Sequence, residues 1–167
     1  MSRRWLAAAM IRTFVLASVV GAGTLSTRAD GIFDHLTGSW AGAGTLTLNT
    51  GSRERILCRT TYSASGGGMS LRLDLKCASD SFKFELRSDL IAADGSISGV
   101  WSEGTRRVSG SITGRGTYDR VDVTANSATF SALLTVITRG NRQNVSIRSP
   151  GSEMQEVAFS MTRGAKR

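Results

Sequence analysis

One histidine, His35, in a chain of 167 residues leaves no nitrogen-rich metal cluster and no base to activate an identified serine. No G-x-S-x-G occurs, so the nucleophile elbow of the α/β-hydrolases is missing too. Proline is nearly absent: Pro150 is the single one and falls in a Ser-Pro-Gly-Ser turn, where a sheet tolerates it. Aromatic residues make up 7% of the chain, with three tryptophans and two tyrosines, too few for the two girdles of an outer-membrane barrel. Beyond residue 30 no helical period is sustained. These absences argue against an enzyme, a metal site and a cofactor. Asp30, Asp34 and His35 read as a polar leader.

The first 29 residues read as a cleaved secretory signal. Arg3, Arg4 and Arg12 make a basic head, Thr13 to Gly23 an apolar stretch, and Thr27-Arg28-Ala29 a cleavage site before Asp30. The apolar stretch falls short of the roughly 20 residues of a membrane-spanning helix. The predicted mature domain is therefore residues 30–167, with no transmembrane segment and a periplasmic or secreted location. Of 21 basic residues four lie before Asp30, as does none of the 13 acids, so the net charge falls from +8 to about +4. That is too little to argue for a nucleic-acid partner.

Residues 30–167 are marked by turn signals every eight to twelve residues, with short alternating runs between them. Trp40 to Leu48 is the first. Phe82, Phe84 and Leu86 alternate with charged residues; Asp94-Gly95 is a strong turn pair, and Phe130 to Ile137 is an almost continuous apolar strand. Gly110 to Gly116 is glycine-rich with no helix after it, and reads as a turn rather than a phosphate cradle. The pattern predicts an all-β fold, an antiparallel up-and-down barrel of eight to ten strands entered through a short helical turn. The phenylalanines and leucines of its inner face could fill eight strands, whereas ten would leave room.

The stretch Arg53 to Ala78 is the most explicit. Met69, Leu71, Leu73, Leu75 and Cys77 alternate with polar residues, and Ile56, Cys58, Thr60 and Tyr62 supply a matching dry face. A hairpin folded about Gly67 and Gly68 sets Cys58 opposite Cys77, and these are the only two cysteines. In an exported chain this register predicts a disulfide. On the wet face it sets Arg59 opposite Lys76 with Arg72 nearby, a small basic patch.

Leu36-Thr37-Gly38-Ser39-Trp40, a helical turn followed by Gly-x-Trp, resembles the calycins: lipocalins, fatty-acid-binding proteins and avidins. That resemblance implies a tryptophan plug at the closed barrel end, Trp40, crossed by an arginine of the last strand, Arg163. It also implies an interior that binds a ligand. Secreted bacterial metalloprotease inhibitors share the small barrel, an early Gly-x-Trp and one disulfide, and imply instead a protein partner engaged through the exterior or the leader.

A second Gly-x-Trp ends at Trp101. If Glu103-Gly104 is a two-residue turn, Trp101 pairs with Arg106 and brings that guanidinium to the inner face beside an indole. The expected site is thus Trp101 and Arg106 at the mouth with Phe82, Phe84 and Phe130 within, for a small apolar or amphipathic ligand.

Overall fold

The computed structural model describes residues 31–164; the signal segment assigned to residues 1–29 lies outside the described residues. A 3-10 turn, Asp34–Leu36, leads into ten strands. They are β1 (Gly38–Leu48), β2 (Arg53–Ser65), β3 (Ser70–Ala78), β4 (Lys83–Ala93) and β5 (Ser96–Glu103), then β6 (Val108–Gly116), β7 (Arg120–Ser127), β8 (Ser131–Arg139), β9 (Arg142–Arg148) and β10 (Met154–Arg163). Each pairs antiparallel with the next, and β10 returns to β1, closing the sheet with no free edge. The strand count stands at the upper limit of the sequence expectation.

In an up-and-down barrel alternate turns gather at the same end. The β2–β3, β4–β5, β6–β7 and β8–β9 turns, with the start of β1 and the end of β10, form one end. The β1–β2, β3–β4, β5–β6, β7–β8 and β9–β10 connections form the other. Period-two burial runs along most strands; in β2 it is unbroken from Arg55 to Ser63.

The glycine hairpin keeps its expected register, with Cys58 opposite Cys77 and Ser65 opposite Ser70. The cysteines form the disulfide, with Cα atoms 4.2 Å apart. Gly66, Gly67 and Gly68 all have positive φ, which the tight reversal requires. Their bare backbone also receives the leader: the Gly31 and Phe33 N–H groups donate to the Gly67 and Gly68 carbonyls at 2.9 and 3.0 Å. Phe33 is fully buried as a result. The described leader is pinned from Gly31 onward. Met69, expected on the dry face, falls in the turn and is 38% exposed.

Three further expectations change. Glu103 pairs with Val108 and Trp101 with Gly110, so the β5–β6 connection spans four residues and Arg106 is a loop residue, not the partner of Trp101. Phe130 precedes β8 and lies at the rim, 37% exposed. The Gly110–Gly116 stretch is strand β6 rather than a turn. Its glycines are there for room: a Cβ at Gly110 would meet the Asn126 carbonyl at 1.7 Å and the Trp101 indole nitrogen at 3.0 Å.

Candidate ligand-binding cavity

The two ends of the barrel are built differently. At the first, Trp40 is 1% exposed and donates its indole N–H to the Leu36 carbonyl at 2.8 Å. Arg163, its register partner on β10, lies over the indole with its guanidinium 4.6 Å from the ring centre, and donates to the His35 carbonyl. Below them Tyr62 meets Trp40 edge-on and donates its hydroxyl to Gln143 Oε1 at 2.8 Å. Gln143 Nε2 in turn donates to Thr138 Oγ1 at 3.0 Å. Gln143 is wholly buried, so the chain of bonds satisfies groups that would otherwise be costly. Burial pushes the Tyr62 hydroxyl pKa up, with the Gln143 bond acting weakly against it. This end is a filled plug.

At the opposite end lies a cavity of about 250 Å³, bordered by Phe84 and Leu86 of β4, Trp101 of β5, Val108 of β6, Ala125 of β7, Leu134 of β8 and Val157 of β10. Gly110 opposite Trp101 leaves space for the indole, whose N–H donates to the Asn126 carbonyl at 3.3 Å. Phe130 packs on Trp101 with ring centres 5.7 Å apart. Of the five residues expected at the site, Trp101, Phe84, Phe130 and Arg106 border this cavity. Phe82 does not; it sits beneath the Arg106 guanidinium, 5.7 Å from ring centre to Cζ. Arg106 itself is exposed at the mouth.

Glu103 is the feature the sequence reading missed. Two positions after the inward Trp101, it shares that residue's parity and its side chain turns inward, 8% exposed, on the cavity wall. Its carboxylate accepts the backbone N–H groups of Glu85 (2.9 Å), Thr105 (3.0 Å) and Arg106 (2.7 Å), and the Thr105 hydroxyl. Burial alone would raise its pKa, but the Thr105 hydroxyl and the three N–H groups together outweigh it and hold the group at about 2. The charge is thus consumed in shaping the β5–β6 loop, and the cavity wall remains apolar. The parity of Trp101 was the available signal; assigning Glu103 to a turn concealed it.

A closed antiparallel barrel with a 3-10 entry, a tryptophan plug and an arginine across it is calycin-like in fold. The solved structures agree. The chain superposes on Rv2717c from M. tuberculosis with a TM-score of 0.61 at 16% identity, covering 79% of this chain and 94% of that one. It superposes on the S-type phycobiliprotein lyase CPES from Guillardia theta with a TM-score of 0.53 at 12% identity, covering 81% and 92%. No family model matches the chain, and no curated protein matches it in sequence. At these identities the likeness is one of fold.

Among the described residues no helix is long and apolar enough to cross a membrane, and no group of metal-ligating side chains assembles. The disulfide is compatible with a periplasmic or extracellular location.

Proposed function

We propose that this chain is an exported, non-catalytic binding protein whose open barrel end takes a small apolar or amphipathic ligand. The observation that carries the reading is the contrast within one interior: side chains fill one end, while the other keeps an apolar cavity of about 250 Å³. That volume lies just under the roughly 300–1,000 Å³ of ordinary small-molecule sites, so the ligand is a short chain or a small ring system. Its apolar part lies against Phe84, Phe130 and Leu134, with an acidic head at Arg106. Among the described residues Arg106 makes no ion pair, and Phe82 supports its guanidinium. The likeness in fold to Rv2717c and the lyase supports the scaffold; the ligand class rests on the cavity's own residues.

Action as a protein inhibitor through the leader is disfavoured, because Gly31 to Leu36 is packed into the closed end. Native mass spectrometry of protein purified from its own host tests the proposal: a co-purifying small molecule is expected. A medium-chain fatty acid that fails to perturb Trp101 fluorescence at any soluble concentration, with no co-purifying molecule, would count against it.

A further inference from the structure

The outer face of β2 carries Arg53, Arg55, Leu57 and Arg59 at alternate positions, all exposed. Among the described residues, none of these three arginines meets a carboxylate within ion-pair distance. Three of the acids nearby are engaged elsewhere. Glu54 accepts the Ser81 N–H at 3.1 Å, Asp74 pairs with Arg87 at 2.9 Å, and Glu85 is shared between Lys83 (3.2 Å) and Lys76 (3.7 Å). Arg72, the other member of the patch read from the sequence, pairs with Asp89 at 2.8 Å. Within this patch, the arginines in no ion pair therefore lie on β2.

On the opposite flank the register sets Ala41, Ala43 and Thr45 of β1 beside Arg59, Leu57 and Arg55, with Thr162, Ser160 and Ala158 of β10 beyond. Arg55, Leu57 and Arg59 thus rise from a low floor of small side chains, while beside Arg53 the row runs through Thr47 to Glu156, which pairs with Arg148. Leu57 is 56% exposed among them.

We propose that this face docks on an anionic phospholipid bilayer. Alternate strand positions lie about 7 Å apart, so the row spreads its three guanidiniums over about 20 Å. That layout meets several phosphates at once rather than cradling one ion. Guanidiniums bind phosphate oxygens bidentately, and each basic group near an anionic leaflet strengthens binding about fivefold. Leu57, between Arg55 and Arg59, gives an apolar contact that a purely ionic polymer would not use. No aromatic side chain stands in the row to stack on bases, which sets nucleic acid aside. The Cys58–Cys77 bridge ties β2 to β3 between Leu57 and Arg59. This inference is independent of the cavity reading.

Flotation with vesicles tests it, using the processed protein purified from its own host, so that the basic and apolar segment read as a signal does not itself bind the vesicles. The chain is expected to float with phosphatidylglycerol–phosphatidylcholine vesicles, less so as salt rises, and not with phosphatidylcholine alone. Arg55→Ser with Arg59→Ser should weaken that binding about 25-fold, two steps of about fivefold. Leu57→Ser should weaken it while leaving the salt dependence unchanged. Both variants alter exposed positions, so a wild-type unfolding midpoint checks that they fold. Equal flotation by the double variant at that midpoint overturns the proposal. So does retention on a sulfated polysaccharide without vesicle binding, which would give the face to a polymer.

Discussion

The closed and open ends of this barrel are made by the same ten strands and contain a tryptophan each, yet they solve opposite problems. Trp40 is capped by Arg163 and backed by Tyr62, and its N–H is held by a carbonyl four residues earlier. Trp101 faces a glycine and a cavity, with Phe130 on its outer side. The arginines differ in the same sense: Arg163 is built into the plug, whereas Arg106 stands at a mouth. A barrel end becomes a wall when side chains fill it, as Trp40, Arg163 and Tyr62 do here. It becomes a site when a free charge and unfilled apolar space are left together.

The largest expected effect is at the closed end. Trp40→Ala should cost about 3–5 kcal/mol in urea unfolding, since it removes a core aromatic and strands the Arg163 contact. Phe130→Ala at the open rim should cost under about 1 kcal/mol while weakening ligand binding. Equal losses from the two would erase the distinction between plug and site.

Removing the bridge between β2 and β3 comes next. Cys58→Ser with Cys77→Ser frees a loop whose closure is worth about 3 kcal/mol in the chain-entropy model. Two titratable thiols in protein taken from an oxidising compartment would contradict the pairing.

Acidification should separate the ends by pH. At the closed end burial, then the Arg163 charge, lowers the pKa of His35, while Asp119, the Ile32 backbone and Asp34 act the other way. The neutral form of His35 is therefore preferred in the fold, and that stability is present above the usual 6.5 and lost as pH falls below it. Glu103 at the open end is also depressed, from 4.5 to about 2, so its contribution survives to lower pH and is lost between those values. His35→Gln should flatten the stability profile near neutrality, and Glu103→Gln only in the acid range. A Glu103→Gln profile unchanged below pH 4.5 would deny the loop anchor.

Smallest in stability is Arg106→Ala, expected within about 0.5 kcal/mol of wild type. Its effect should appear in binding: an acidic ligand about tenfold weaker, and the corresponding alcohol unchanged. A matched loss for both would remove the charge from the recognition.

Where the sequence could be read, the rule was local. Alternation in β2 and β3, three glycines at their turn and the Asp94-Gly95 pair fixed register, because strand parity and turn length leave few choices. The cysteine pairing followed from the same register. The β5–β6 connection escaped, since Glu103-Gly104 has the look of a two-residue turn. What lengthened it was a buried carboxylate collecting N–H groups from its own loop and from Glu85 on β4.

By itself, the sequence determined the all-β class and the disulfide partners, consequences of alternation and turn chemistry along the chain; the pairing of Trp40 with the last strand was what the calycin resemblance implied. Tertiary structure alone decided that ten strands close, and that one end is filled while the other is not. It also joined Tyr62, Gln143 and Thr138 in one buried network and left the arginines of β2 unpaired. The physical reason is distance along the chain. Filling and pairing depend on side chains from strands far apart in sequence, and only the closed sheet brings those to one place.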